Sequence, residues 1–455
     1  MMDRSLNLNN EKLSSALTRV ALPIAGQSLL GSCLNLVDNL MVGNLGEISL
    51  ASVGLGSQIF FVYWMIVFGF VSGTATYMAQ FYGKNDFANI KHVLGIAVSV
   101  TSVAGLIFFL ACLLAPGQIL SIFTNIDQVK EIGLDYIRMG SPCYLFIALS
   151  VPLSASLRAT QQIKIPLIAS VTAFATNTFL NYLLIYGNFG APRLEVSGAA
   201  LATVIARFVE LTIMLIVVFG MKNKLAGKIR DYFSWKKELF TKVIKNSVPT
   251  TINETAWGAG VAMYNAAYGR IGVTAFAAIQ ASGTIQNIFI MACFSLGDAM
   301  LILVGERLGR GELERGYSMA KGILKAGVII GIISGILLAV SSRFIVKLFD
   351  FTPTGLSYAS IIIIIYSVML FVKVYNSAII TGALRAGGDT RFAMFAETGC
   401  VWLIGVPLAF IGALVLKLPV YYVVLLVQTE EFVKFFITTY RFRSRKWVKN
   451  LVKHL

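Results

Sequence analysis

Residues 92–116 read HVLGIAVSVTSVAGLIFFLACLLAP, a run without a single Asp, Glu, Lys or Arg. A helix of about 20 apolar residues crosses the hydrocarbon core of a bilayer. Similar runs recur along all 455 residues, and the chain is 57% hydrophobic and only 13% charged. Soluble domains are about 25% charged and cannot bury so much apolar surface. The sequence therefore predicts an all-α integral membrane protein.

Apolar windows bounded by charges, Gly or Pro mark the candidate membrane helices. They predict twelve spans, at 16–41, 51–80, 92–116, 130–158, 164–187, 197–221, 242–268, 277–305, 316–343, 355–384, 391–414 and 419–440. The loops between them alternate between rich and poor in Lys and Arg, and both chain ends belong to the rich set. By the positive-inside rule, both termini are cytoplasmic.

The net charge of +16 is explained by the same excess of Lys and Arg in the cytoplasmic loops. Basic loops face an anionic cytoplasmic leaflet, which attracts them. We therefore expect membrane lipids, and not nucleic acid, as the partners of these charges. The localisation that follows is a cell membrane, and we expect a bacterial one.

The two halves of the chain resemble each other. NLMVGNLG (39–46) matches NAAYGRIG (265–272), and AQFYGKND (79–86) matches GERLGRGE (305–312) in a glycine and in the final acidic residue. Each half holds six spans, so the halves share one topology and are related by an axis along the membrane normal. We expect four regions: an N-lobe at 1–221, a basic cytoplasmic linker at 222–241, a C-lobe at 242–440 and a basic cytoplasmic tail at 441–455. Two six-helix lobes that face each other enclose a central cavity, as in a transporter.

Motifs for catalysis or ATP use are missing from the sequence. It has no GxxxxGK[ST] phosphate loop, no HExxH and no CxxC, and its five Cys and two His show no metal-ligand spacing. These observations argue against an enzyme, an ATP-driven pump and a bound cofactor or metal. An ion gradient must then supply the energy, and its ion needs polar groups inside the membrane.

One set of such groups lies in the first half of the chain. Asp38 lies in the outer half of the first span, Asn177 and Asn181 lie at i, i+4 in the outer half of the fifth, and Thr203 lies near the outer start of the sixth. A carboxylate, two amides and a hydroxyl at similar depth suit a hard cation such as Na⁺, or a proton on the carboxylate. Arg207 and Glu210, at i, i+3, are expected to form a structural ion pair.

A second set of ionisable residues lies in the second half of the chain. Glu254, Asp298 and Lys373 fall away from the ends of their spans, where a charge is costly. Glu254 and Lys373 lie at similar distances from the cytoplasmic end, so we expect them to pair. This polar network has two interpretations, a structural ion pair and a part of the transport machinery.

Several motifs carry a resemblance to a known family. LRAGGDT (384–390), GAALAT (198–203), LVDNLMVG (36–43) and the Asn177–Asn181 pair resemble the MATE family of multidrug and toxic compound extrusion transporters. The resemblance covers nearly the whole chain. It implies two six-helix lobes, cytoplasmic termini and a central cavity that opens to each side in turn.

The resemblance also implies roles for residues. Asp38 is the N-lobe carboxylate, with Asn177, Asn181 and Thr203 beside it. Many members carry Asp where this chain has Asn181, so this chain has one titratable group fewer and the choice between Na⁺ and H⁺ stays open. Some members carry an acidic residue on the tenth span, where this chain has Lys373, and on the seventh span about one turn after Glu254.

The function that follows is export of amphipathic, cationic organic compounds in exchange for Na⁺ or H⁺ by one chain acting as a monomer. Trp64 and Phe68, at i, i+4, are candidate contacts for such compounds in the cavity. The alternative within the same superfamily is a flippase or exporter of lipid-linked or other anionic metabolites. A channel is disfavoured because no carbonyl loop or charge ring that would line a pore stands out.

Overall fold

The computed structural model describes residues 13–221, 223–345 and 352–455. Lys222 of the predicted linker lies outside the described residues, as do residues 1–12 and 346–351. The helices of the first half are α1 (Leu13–Gly43), α2 (Glu47–Gly83), α3 (Phe87–Leu114), α4 (Pro116–Phe123), α5 (Asp127–Gly140), α6 (Cys143–Ala159), α7 (Lys164–Tyr186), α8 (Glu195–Leu215) and α9 (Ile229–Phe233).

The helices of the second half are α10 (Lys237–Gly269), α11 (Val273–Gly309), α12 (Leu313–Ile345), α13 (Pro353–Ser377), α14 (Thr390–Cys400), α15 (Val406–Phe410) and α16 (Val420–Arg443). Short π-helical segments continue some of these helices at Ile216–Gly220, Ala378–Leu384, Val401–Gly405 and Ile411–Val415. The described chain has no β-strand. The prediction of an all-α membrane protein is confirmed.

Nine helices of the described chain are long and apolar enough to cross a membrane, or ten if α5 and α6 count as one bent span. The remaining two predicted spans correspond to α10 and α16. Both helices carry more polar and charged residues than the others, such as Glu430, Glu431 and Lys434 within α16. In a membrane such residues must face the protein interior, and these three are buried.

The predicted span at 130–158 differs from the structure in one respect. It is a pair of helices, α5 and α6, that meet at a 46° bend. Pro142 follows Ser141 at the break, and a proline both lacks an N–H donor and disfavours helical geometry at the residue before it. The apolar pattern continues across the bend, which is why the sequence indicates a single helix.

The described residues form two compact units. The N-terminal unit contains Gly26–Met78 and Asn85–Thr251, and the C-terminal unit contains residues 13–25, Ala79–Lys84 and Ile252–Leu455. The boundaries between the units fall within α1, α2 and α10 and in the loop between α2 and α3. The lobe boundaries given above, with the linker at 222–241, stay a prediction.

Helix pairs from neighbouring parts of the sequence build the N-terminal unit. α7 packs on α8, α3 packs on α6, and α8 also contacts α5 and α6. Tyr63 of α2 is fully buried among apolar residues of α5 and α6, and its hydroxyl donates to the backbone oxygen of Tyr144 at 2.6 Å. Because this hydroxyl has a hydrogen-bond partner, it can lie in the centre of an apolar cluster.

The C-terminal unit is built in the same way. α13 lies at its centre and packs on α11, α12 and α16. Its buried apolar residues, including Ile362 and Ile363, contact Val423 and Val424 of α16 in one cluster. Many outward-facing side chains of both units are apolar, such as Leu403 and Phe436 of the C-terminal unit. This is the surface that a lipid bilayer covers.

The basic tail is folded against the C-terminal unit. α16 ends at Arg443, and Trp447 beyond it is fully buried, with its indole N–H donating to the backbone oxygen of Phe442 at 3.1 Å. Arg441 donates two hydrogen bonds to Asp389, at 2.6 and 3.0 Å. The sequence indicates only a basic segment, whereas the structure shows that its apolar residues and α16 hold it in place.

Part of the LRAGGDT motif faces this tail. A Cβ atom at Gly387 would overlap the backbone oxygen of Trp447, and one at Gly388 would overlap the side chain of Leu451. Gly388 also has a φ of 72°, a region that favours glycine. The two glycines of the motif therefore allow the tail to approach the chain closely.

Candidate functional site

The four polar residues predicted on three helices of the first half lie together. Asn181 Nδ2 donates to Asp38 Oδ1 at 2.5 Å and to Asn177 Oδ1 at 3.1 Å. Asn177 Nδ2 in turn donates to Thr203 Oγ1 at 3.2 Å. α1 contributes Asp38, α7 the two amides and α8 the hydroxyl. We call this chain of hydrogen bonds the Asp38 layer.

Burial differs along the Asp38 layer. Asn177 and Asn181 are fully buried, whereas Asp38 and Thr203 are half-buried. The Oδ1 atom of Asn181 is buried and has no hydrogen-bond partner. An acceptor in such a position is costly unless a donor or a cation contacts it. A carboxylate next to neutral oxygen acceptors is a ligand set for a small hard cation, and the carboxylate alone suffices for a proton.

Arg207 and Glu210 of α8 form the predicted ion pair. Arg207 donates to Glu210 Oε2 at 2.7 Å, and the side chains are only 25% and 10% exposed. The other carboxylate oxygen, Oε1, accepts a hydrogen bond from Ser170 of α7 at 2.8 Å. Glu210 therefore has a donor on each oxygen.

The predicted pairing of Glu254 with Lys373 is wrong. Glu254 instead forms a buried ion pair with Arg385 of the LRAGGDT motif. The Arg385 side chain is 1% exposed, although its position between two apolar segments indicates a cytoplasmic loop. Depth along a helix does not tell which way a side chain points, and two residues at one depth need not be neighbours.

Lys373 of α13 has different surroundings. Its Nζ lies over the ring of Tyr366, 5.2 Å from the centroid, an arrangement that stabilises an ammonium. It also interacts electrostatically with Glu430 and Glu431 of α16. Asp298, the third residue of the predicted network, is close enough to Glu254 to interact with it electrostatically.

α16 supplies a buried charged cluster that the sequence analysis did not assign to a site. Lys434 Nζ lies 3.2 Å from Glu431 Oε1 and 3.8 Å from Glu430 Oε1. Asn376 donates to Glu431 Oε2 at 2.8 Å, and the Tyr264 hydroxyl donates to Glu430 Oε2 at 2.5 Å. The i, i+3 and i, i+4 spacing of acid and amine within a span was the signal for this cluster.

Trp64 and Phe68 lie in a row of aromatic rings along α2. Trp64 stacks on Phe60 at 6.3 Å and on Phe68 at 6.2 Å between ring centroids. Both predicted residues are half-buried. Their contact with a transported compound stays a prediction.

Neither a metal cluster nor a disulfide is found in the part of the chain that the structure describes. No group of three or more His, Cys, Asp or Glu residues in these ranges is arranged to hold a metal. Four of the five cysteines are buried thiols, and Cys33 is exposed.

A comparison with protein families gives one matching model. The MatE model matches residues 23–183 and 259–411, which together make up more than half of the chain. Both halves of the repeat contain a matched segment.

Two curated proteins of similar sequence are named for multidrug resistance. The chain is 23% identical to the probable multidrug resistance protein NorM of Thermotoga maritima over 407 residues, which cover 88% of this chain and 86% of that protein. It is 25% identical to the multidrug resistance protein MdtK of Yersinia pseudotuberculosis over 415 residues, which cover 87% of each.

A solved structure has the same fold. A crystal structure of MATE in complex with MaL6 matches with a TM-score of 0.88 at 17% sequence identity, covering 98% of this chain and 100% of that one. At this identity the likeness bears on the arrangement of the helices and not on what is bound.

Proposed function

The chain belongs to the MatE family of multidrug and toxic compound extrusion (MATE) transporters, and on this premise we propose that it exports amphipathic organic cations in exchange for Na⁺ or H⁺. The similarity to proteins named for multidrug resistance supports the substrate class. The coupling ion and the antiport mechanism are our inference from the residues.

The observation that carries the proposal is the Asp38 layer. A half-buried carboxylate lies at one end of a chain of buried amides, and one amide oxygen has no partner. A structural role alone would favour a fully paired set of polar groups, because an unsatisfied buried acceptor costs about 1–3 kcal/mol. A site that binds and releases a cation needs an acceptor oxygen that is not committed to a protein donor.

In the proposed mechanism, Asp38 takes up Na⁺ or H⁺ when the site opens to the outside. The bound ion neutralises the carboxylate and weakens the binding of a cationic compound, which leaves on that side. The loaded protein then opens to the inside and releases the ion, and a new compound enters. Such a cycle needs only a difference in affinity between the two states.

Export of an anionic or lipid-linked compound is the competing function. A cavity for such compounds needs an excess of positive charge. The buried amines Lys373 and Lys434 lie close to the carboxylates of Glu430 and Glu431, so this cluster is balanced in charge. The cluster therefore supplies no excess of positive charge, which argues against an anionic compound.

The chain is a multi-pass membrane protein of the MATE family. We further propose that it acts as a monomer in a bacterial cell membrane, with both termini in the cytoplasm. The excess of Lys and Arg in alternate loops supports this orientation.

Transport by purified protein in liposomes tests the proposal. Ethidium, an organic cation, is the probe, and a Na⁺ gradient at equal pH and a pH gradient without Na⁺ are imposed in separate experiments. We expect one gradient to drive ethidium movement, and an ionophore that collapses that gradient to stop it. The proposal is wrong if folded protein moves ethidium equally well with and without each gradient. Movement of an anionic dye in place of ethidium would establish the competing function.

A further inference from the structure

A second polar layer joins the same three helices that form the Asp38 layer. Gln27 Nε2 of α1 donates to Ser170 Oγ of α7 at 3.0 Å. Ser170 Oγ donates to Glu210 Oε1 at 2.8 Å, and Arg207 donates to Glu210 Oε2 at 2.7 Å. We call these four residues the Glu210 layer.

The two layers have a regular spacing. Ser170 and Asn177 are seven positions apart on α7, and so are Thr203 and Glu210 on α8. Seven residues are two helical turns, about 10 Å along the axis. Because α7 and α8 run in opposite directions, the hydrogen bonds of the two layers lie about two turns apart along the same helix pair.

Arg207 lies between the layers. It is one turn after Thr203 and three residues before Glu210, so all three side chains lie on one face of α8. Its guanidinium pairs with Glu210 at 2.7 Å, and Thr203, one turn earlier on the same helix face, belongs to the Asp38 layer. A single buried ion pair therefore lies next to the layer that contains Asp38.

This arrangement has a consequence for any ion at Asp38. A fixed positive charge nearby opposes the arrival of Na⁺ or of a proton, because both add a positive charge to the carboxylate. The Glu210 carboxylate offsets that charge by pairing with it. Low exposure of the pair keeps screening by solvent small, so the effect extends to the neighbouring layer.

We propose that Arg207 is the counter-charge that determines how tightly Asp38 holds the coupling ion, and that Glu210 sets its strength by pairing with it. The inference rests on the proposed ion-coupled transport through Asp38. Arg207 and Glu210 are positioning residues that act through Asp38. Gln27 donates to Ser170, and Ser170 donates to Glu210. These hydrogen bonds hold Glu210 in the orientation in which it pairs with Arg207.

Among the residues that the structure describes, the phenol of Tyr136 on α5 and the thiol of Cys143 on α6 are further titratable groups near Asp38 and Arg207. Phenols and thiols are ordinarily neutral near pH 7. The charges that matter for the ion are thus those of Asp38, Arg207 and Glu210.

The test measures ethidium efflux from proteoliposomes as a function of Na⁺ concentration and of pH. Arg207→Gln removes the opposing charge and so strengthens ion binding at Asp38. If Na⁺ is the coupling ion, the Na⁺ concentration that gives half-maximal efflux falls. If a proton is, the pH at which efflux is half-maximal rises. Glu210→Gln leaves Arg207 free to turn towards Asp38, so the same quantities move in the opposite direction. A charge roughly 10 Å away at an effective dielectric constant of about 20 changes affinity on the order of tenfold.

Opposite shifts separate this role from a merely structural one, since loss of packing would weaken transport in both variants without moving the ion dependence in opposite directions. The Arg207→Gln/Glu210→Gln double variant, which has no net charge change, should return the ion dependence towards the parental value. Ser170→Ala keeps every charge and only loosens Glu210, so we expect a smaller shift in the direction of Glu210→Gln. The Ser170→Ala variant also provides a test of the proposal if Arg207→Gln or Glu210→Gln does not fold.

Arg193 provides a matched control, because it pairs with Glu195 at 3.2 Å but both side chains are more than half exposed. Arg193→Gln should leave the ion dependence unchanged. The inference is overturned if Asp38-dependent efflux is present and the Arg207 and Glu210 variants shift together or not at all. Absence of ion-driven efflux in the parental protein would instead contradict the proposed function.

Discussion

Gly83 and Gly309 pack reciprocally at the ends of α2 and α11. A Cβ atom at Gly83 would overlap the backbone oxygen of Glu306, and one at Gly309 would overlap that of Gln80. The two glycines are matched in the sequence repeat, and so are Gln80 and Glu306. Equivalent residues thus make the same contact in both directions, which is what a two-fold relation between repeats produces.

The first prediction concerns this contact. Gly309→Ala forces the two helix ends apart, because the neighbour is backbone and cannot turn away. We expect a loss of at least about 1–3 kcal/mol of stability, measured as a lower midpoint of thermal unfolding in detergent. Gly283 of α11 has open space around its Cβ position, so Gly283→Ala should be neutral or slightly stabilising. Equal midpoints for the two variants would show that the contact is not tight.

The second prediction concerns Asp38. Asn at this position keeps the shape of the side chain but can neither titrate nor supply charge to Na⁺. Asp38→Asn should abolish gradient-driven ethidium efflux at a normal protein level, and its effect should exceed that of Asn181→Ala. The exposed Asp127 at the start of α5 is a control, since Asp127→Asn should transport normally. Efflux by Asp38→Asn at close to the parental rate would remove the Asp38 layer as the coupling site.

The third prediction concerns the buried pair of Glu254 and Arg385. Arg385→Ala leaves a buried carboxylate without its cation, which costs on the order of 3–5 kcal/mol. Because the pair is nearly isolated from solvent, Glu254→Gln/Arg385→Met should recover much of the lost stability in a thermal unfolding assay. The Glu254→Gln/Lys373→Met variant should show no such compensation. A larger recovery with Lys373 than with Arg385 would contradict the structure.

The fourth prediction concerns the folded tail. Trp447→Ala opens a cavity under the tail, where the side chain is fully buried, at a cost of about 3–5 kcal/mol to the folded segment. Trypsin added to inside-out vesicles should then cleave at the exposed Lys449 and Lys453 faster than in the parental protein. Lys446→Ala changes an exposed residue beside Trp447 and should leave cleavage at those two sites unchanged. Rapid cleavage of the parental tail would show that it is not held.

The fifth prediction concerns topology. Lys237 begins α10 and is exposed. In a Cys33→Ser background, which removes the exposed native thiol, Lys237→Cys should react with an impermeant thiol reagent in inside-out vesicles and not in intact cells. Labelling in intact cells would overturn the predicted orientation with both termini in the cytoplasm.

The two candidate sites differ in how well the sequence predicts them. The Asp38 layer joins α1 to α7 across 143 positions of the sequence, but an i, i+4 pair fixes the face of α7 that carries both amides. The second site joins Glu254 and Arg385 across a similar 131 positions, but no such pair on one helix fixes the faces that meet there. Lys373 faces Tyr366 and the carboxylates of α16, whereas Arg385 reaches Glu254. Neither orientation can be read from depth alone.

Sequence patterns alone were enough to predict that the chain is helical, that it lies in a membrane and that its halves resemble each other. These properties depend on the length of apolar runs and on the matching of short motifs, which are local. The folded structure was needed to show that Glu254 pairs with Arg385, that the tail is folded beside Gly387 and that Ser170 connects Gln27 to Glu210. Burial makes an unpaired charge costly, so each charge must find a partner, but which partner it finds depends on how helices distant in sequence rotate and pack.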